Sequence, residues 1–195
     1  KVINRIKTLC EKEPVCKNID PTLIAQKVCA RIYDGVKTTE LDELAAQITV
    51  AMCTTHIEYA TLAGRIIISN NHKNTKNTFT ETMALLFNEQ DGTSGKMKGL
   101  ISKSVYNVIL ENKEQLDQVI DHERDYTFDF FSFKTLEKAY LMKVNGTVAE
   151  RIQYMFLRVA LGIHGTDVDA AINTYHLMST KAMIHATPTL FHAGC

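Results

Sequence analysis

The stretch Gly35-Val36-Lys37-Thr38-Thr39-Glu40-Leu41-Asp42-Glu43-Leu44-Ala45-Ala46-Gln47-Ile48-Thr49-Val50-Ala51-Met52 decides the fold class. Leu41, Leu44, Ala45, Ile48 and Met52 recur at the i, i+3, i+4, i+7 spacing that lines one face of an α-helix. Thr39 opens the pattern and Asp42 follows three residues on, which reads as a capping box at the helix start. The same period extends to either side. Val2, Ile3, Ile6 and Leu9 share a face over residues 1–11. Asp20-Pro21 is an N-cap followed by proline at the first helical position, and Ile24, Val28 and Ile32 then repeat every four residues. Tyr59, Leu62, Ala63, Ile66 and Ile67 mark a fourth helix over about 56–73.

Beyond the polar, asparagine-rich run 70–77, further helices are expected near 79–87, 103–120, 134–140, 149–161 and 167–183. Between the first two of these, residues 88–99 are rich in Gly, Ser and Lys and predict a mobile loop. Asn145-Gly146 within 141–148 signals a tight hairpin turn. The alternation of Tyr126, Phe128, Phe130, Phe131 and Phe133 with polar residues predicts an extended segment packed on helices. The expected fold is mainly α with one short β-hairpin and a terminal strand, in three parts: 1–77, 78–183 and 184–195.

Of the 195 residues, 45% are hydrophobic and 23% charged, an ordinary soluble composition. Lys+Arg and Asp+Glu both number 22, so overall charge points to neither nucleic acid nor an anionic membrane. Residues 1–77 carry 11 − 8 = +3 and residues 78–195 carry 11 − 14 = −3, an asymmetry that suits a polyphosphate site in the first part. The five cysteines form no CxxC pair, and Cys29 and Cys53 read as small core residues. Neither a metal site nor a disulfide framework is expected, which fits a reducing cytoplasm. No apolar run approaches the roughly 20 residues of a membrane span. The chain starts at Lys1 within an amphipathic pattern and stops one residue after Gly194, so both ends are expected to continue in a longer protein.

Ala186-Thr187-Pro188-Thr189-Leu190-Phe191-His192-Ala193-Gly194-Cys195 sets small hydroxyl residues around a proline in an apolar run. Pro188 drives Thr187 towards extended geometry. A buried strand would then present the Thr187 hydroxyl and N–H inside a core, where they need a partner. That partner is either neighbouring backbone or a bound anion.

His185 to Gly194 closely resembles the strand and loop that open the catalytic barrel of the large subunit of class I ribonucleotide reductases. Gly35 to Ala46 (GVKTTELDELAA), Phe131 to Leu141 (FSFKTLEKAYL) and Asn145 to His164 (NGTVAERIQYMFLRVALGIH) resemble the same family in the same order. The resemblance runs from Lys1 to Cys195. It implies that 1–77 is an ATP-cone regulatory domain lacking its amino-terminal hairpin, 78–183 the helical N-terminal domain, and 184–195 the first strand of the barrel. It implies reduction of ribonucleoside diphosphates to deoxyribonucleoside diphosphates by thiyl-radical chemistry, under allosteric control by ATP or dATP.

The positions matching the family's effector contacts are Lys1, Thr38, Asp42 and Lys73, with Asp42 helping to tell ATP from dATP. Those matching the substrate-diphosphate contacts are Ala186 and Thr187. Catalytic cysteines are expected outside these residues, and Cys195 is read as an incidental substitution. The resemblance further implies a small-subunit partner carrying the metal and radical, no metal in this subunit, and a homodimer or higher oligomer. It implies neither nucleic-acid nor membrane partners. The alternative function is a non-enzymatic ATP-cone nucleotide sensor that regulates reductase genes, and a third reading is a helical interaction module without a ligand. Apart from the resemblance, Asp42 remains a capping residue and Lys73 a solvated lysine complementing its helix dipole.

Overall fold

The structure, a computed structural model, describes residues 2–89 and 99–195. Lys1 and residues 90–98 of the loop expected at 88–99 lie outside the described residues. Contacts divide the chain into two compact units. The first runs to Lys73 and takes in Tyr126–Thr135, and the second holds Asn74–Asp125 and Leu136–Cys195. The sequence placed 126–135 with the later helices and the junction at 77.

The first unit is built on α1 (Val2–Cys10), α2 (Pro21–Cys29), α3 (Thr38–Ala51) and α4 (Glu58–Asn74). The Asp20 carboxylate caps α2 by accepting from the N–H groups of Thr22 and Leu23 at 2.8 and 3.2 Å, a contact that contributes about 1 kcal/mol. Ile24 and Val28 then point fully inward, whereas Ile32 lies past the helix end and is exposed. Tyr59, Leu62, Ala63, Ile66 and Ile67 of α4 are all buried, as their spacing predicts. Gly64 lets α4 touch the backbone of 128–129, because a Cβ there would sit 2.5 Å from the Phe128 carbonyl oxygen.

Arg65, fully buried in the same helix, donates to the carbonyls of Leu9, Lys12 and Pro14 at 2.9, 3.0 and 2.7 Å. It thereby ties the turn after α1 to α4. The cysteine expectation reverses here. Cys29 is exposed and Cys53 half-buried, while Cys10 and Cys16 are the buried ones. Burial, together with the neighbouring Cys16, pushes the Cys10 thiol up to about 11 against the opposing pull of Arg65.

In the second unit come α5 (Phe79–Phe87), α6 (Lys103–Glu111) and α7 (Lys113–Val119), then a 3-10 turn over His122–Thr127 and α8 (Phe130–Ala139), which begins in the first unit. The single helix expected over 103–120 breaks at Asn112. Its side-chain amide donates to the Val108 carbonyl at 2.8 Å, the local competition by which asparagine ends helices. The aromatic run is helical and not extended. Asp129 caps α8 by accepting from the Ser132 N–H at 2.8 Å, so Phe130 and Phe133 face inward and Phe131 is 60% exposed.

Strands β1 (Lys143–Val144) and β2 (Thr147–Val148) pair antiparallel, Lys143 opposite Val148 and Val144 opposite Thr147. Asn145 and Gly146 turn the chain at positive φ, 50° and 77°, as a two-residue hairpin requires. Three helices complete the unit: α9 (Ile152–His164), buried continuously from Ile152 to Leu161, α10 (Val168–Ser179) and α11 (Thr187–His192).

The mainly helical fold with one small hairpin agrees with expectation, but the terminal strand does not. Residues 187–192 form a short helix with Pro188 in its first turn. A strand needs a hydrogen-bonded neighbour for its backbone groups, and the only sheet among the described residues is the two-stranded hairpin. A helical turn satisfies those groups locally, and proline is tolerated at its start.

Candidate functional site

Three helices of the first unit enclose a pocket of about 300 Å³. Ile6 and Leu9 of α1, Leu41 and Ala45 of α3 and Ile66 of α4 supply its apolar wall, and Arg5, Thr38, Asp42 and Lys73 its polar one. The inward stripe of α3 explains why a carboxylate is there. Asp42, Ala45, Ala46 and Thr49 are all buried at i, i+3, i+4 and i+7, so Asp42 is the first residue of the core face.

Its two oxygens are both engaged. Oδ1 accepts from Arg5 Nη1 and Oδ2 from Lys73 Nζ at 3.0 Å. Arg5 also donates from Nη2 to Ser69 Oγ at 3.1 Å. The carboxylate therefore ties α1 and α4 to α3. Side-chain exposure is 10% for Asp42, 29% for Arg5 and 50% for Lys73, so both cations keep far more contact with water than the acid does. Two cations and one carboxylate leave this wall at +1.

The capping box expected at Thr39 does not form. The helix begins at Thr38, its N-cap is Lys37 without a side-chain bond, and Asp42 is taken by the two cations. Charge-assisted bonds of that kind are stronger than a neutral amide contact. The first intrahelical bond at this end runs from the Leu41 N–H to the Lys37 carbonyl. The N–H groups of Thr38, Thr39 and Glu40 thus open the helix with no acceptor inside it. Asn70 of α4 fixes this turn by donating to the Thr39 carbonyl at 3.3 Å.

Three of the four residues expected to contact an effector, Thr38, Asp42 and Lys73, thus line one pocket. Lys1 lies outside the described residues. Arg5 is the residue that sequence reasoning missed. It is one of two basic residues in an amphipathic helix, the other being Lys7, and its partners lie 37 and 64 residues away.

The other expected pair, Ala186 and Thr187, belongs to the second unit and is exposed. Thr187 starts α11 and does not sit in a buried strand. Its Oγ1 lies 3.0 Å from the Tyr140 hydroxyl, and the Tyr140 ring packs against Phe191 with centroids 4.9 Å apart. A depression of about 890 Å³ along α6, α7 and Ile172 in this unit is lined by none of the expected site residues. Among the described residues no three His, Cys, Asp or Glu side chains gather as metal ligands, and no helix is long and apolar enough to cross a membrane.

Comparison with known proteins adds a family to this geometry. Residues 126–195 match the ribonucleotide reductase all-alpha domain. The large subunit of ribonucleoside-diphosphate reductase from Arabidopsis thaliana is 53% identical over 175 residues, covering 90% of this chain and 21% of that protein. The corresponding subunit of Dictyostelium discoideum is 47% identical over 196 residues, 100% of this chain and 22% of its own length. That of monkeypox virus is 48% identical over 194 residues, 100% of this chain and 25% of its own length. Over its whole length the chain is similar to the large subunits of ribonucleoside-diphosphate reductases. It spans a fifth to a quarter of the length of the curated relatives it matches. The match extends over the first unit as well as the second, so the pocket of Arg5, Asp42 and Lys73 lies within the reductase-like sequence.

Proposed function

We propose that this chain is part of the large subunit of a ribonucleoside-diphosphate reductase, with its first unit binding the allosteric effector and Ala186–Thr187 contacting the substrate diphosphate. The activity is reduction of ribonucleoside diphosphates to deoxyribonucleoside diphosphates for DNA synthesis. A metal-containing small subunit supplies the radical, and paired cysteines outside these residues supply the electrons. The complete large subunit works in the cytoplasm as a homodimer or higher oligomer.

One observation carries the effector reading: Arg5 and Lys73 converge on Asp42 beside the open first turn of α3. A triphosphate needs cations and N–H donors held ready, and a helix N-terminus supplies both partial charge and donors. Arg5 and Lys73 reach solvent, so each can turn from Asp42 to a phosphate oxygen. Ile6, Leu9 and Ile66 offer an apolar wall to a base. Asp42 is an acceptor only, so once released it takes a ribose hydroxyl and repels misplaced phosphate. That makes it the residue through which ATP and dATP are told apart.

The test is Asp42→Asn in the complete reductase, followed by activity against ATP and dATP. The expected result is retained activation by ATP and lost inhibition by dATP. Inhibition by dATP as strong as in the parent refutes the assignment.

A further inference from the structure

The second unit contains an ion pair with no exposed surface. Arg158 and Glu150 are both 0% exposed, with Arg158 Nε donating to Glu150 Oε1 at 2.6 Å and Nη2 to Oε2 at 3.2 Å. Burial opposes the charge on Arg158, but Glu150 beside it more than compensates and holds the guanidinium charged. Such a pair gains little stability over apolar side chains of the same volume, because removing both ions from water offsets their attraction. Its value lies in where its remaining hydrogen bonds go.

Two of them go to backbone on the two sides of Thr187. Glu150 Oε2 accepts from the Met142 N–H at 3.0 Å, two residues beyond Tyr140, whose hydroxyl meets Thr187 Oγ1. Arg158 Nη1 donates to the Ala193 carbonyl at 2.8 Å, at the far end of α11. The same turn is pressed onto α9. Gly194 lies at φ +87° against the Arg158 side chain, and a Cβ on Gly162 would collide with the Gly194 nitrogen. Its carbonyl accepts from the Ser102 N–H at 3.1 Å. Thr187, at the start of α11, is therefore held between the Tyr140 hydroxyl and the far end of its own helix, and one buried pair anchors both.

We infer that Glu150 and Arg158 are positioning residues for the substrate diphosphate, setting the place of Thr187 through Met142–Tyr140 on one side and Ala193–α11 on the other. The inference rests on the reading of Thr187 as a diphosphate contact. The fork of Arg158 fixes two directions at once, and displacements of about 1 Å in such supports cost up to about a hundredfold in rate or binding.

Removing one partner leaves a buried unpaired charge and strongly destabilises the region, so the test replaces both. Glu150→Leu/Arg158→Met in the complete reductase keeps the volume apolar and the core intact. Hydrogen exchange in a peptide covering residues 186–195 is expected to rise about tenfold over that of α9 and α10. The KM for a ribonucleoside diphosphate is expected to rise about tenfold with kcat within about twofold. Loss of packing alone would lower kcat and the melting temperature together and would not separate KM from kcat.

Unchanged exchange overturns the bracket. Raised exchange with an unchanged KM, where Thr187→Val does raise KM, overturns its role towards the substrate. A Thr187→Val enzyme with normal KM and kcat overturns instead the reading of Thr187 on which the inference stands.

Discussion

The two units hold the same chemistry under opposite conditions. In the first, Asp42 binds Arg5 and Lys73, and the cations are 29% and 50% exposed. In the second, Glu150 binds Arg158 and neither is exposed. A cation that keeps its water can exchange a carboxylate for a ligand phosphate at small cost, since attraction and hydration nearly balance. A sealed pair has no such alternative and acts as a fixed strut. The first arrangement suits a site that changes partners and the second a frame that must not move.

The largest expected effect comes from breaking the sealed pair on one side. Glu150→Ala strands the Arg158 guanidinium in the core and should lower unfolding stability by about 3–5 kcal/mol, measured by denaturant titration. A loss below about 1 kcal/mol would place water beside Arg158 and remove the contrast. Next, Gly162→Ala forces a methyl against the Gly194 backbone, which cannot yield as a side-chain tip does. It should cost about 1–3 kcal/mol and raise hydrogen exchange at residues 193–195. Stability at the parental level would show that the turn is not pressed onto α9.

How much of this was legible in the sequence depends on whether the signal was local. The Asp20-Pro21 cap, the Asn145-Gly146 turn and the inward stripe of α4 are set by neighbouring residues and read directly. On α3, by contrast, the expected Leu41 and Leu44 are half-buried, and Asp42, Ala46 and Thr49 are buried instead. The break at Asn112 and the cap at Asp129 are also local, but a run of apolar or aromatic residues masked them. Residues 187–192 were misread because apolar composition near a proline suits a strand or a helical turn, and the presence of a pairing neighbour decides between them.

The pocket shows the same limit. Asp42 reads locally as a capping residue, and its site role, like those of Thr38 and Lys73, comes through family resemblance alone. Arg5 has no local mark at all. Arg65 and Arg158 did leave one, a single arginine within an otherwise apolar helical run (GRIIIS and FLRVAL). A charge in that setting needs a buried partner or a ring of carbonyls, and both arginines have them.

Two smaller effects sharpen the open side of the comparison. Lys73→Met removes a half-exposed cation, so ATP binding by the complete reductase should weaken only about fivefold, roughly 1 kcal/mol. Calorimetry at two salt concentrations checks it, because screening should shrink the difference. Equal affinity at low salt would move the phosphates away from α4.

The smallest change in stability is expected from Asp42→Asn, although the residue is nearly as hidden as Glu150. The difference lies in what is left behind. Losing the Asp42 charge frees Arg5 and Lys73, which already touch water and can complete their hydration without moving the core. The asparagine oxygen still accepts one bond, and its amide replaces a charged oxygen at equal volume. Unfolding stability should therefore fall by less than about 1 kcal/mol, while affinity for inorganic triphosphate rises because a competing carboxylate is gone. A loss as large as that of Glu150→Ala would mean that the triad is a strut like the other pair. The pocket would then have no cations to lend to a ligand.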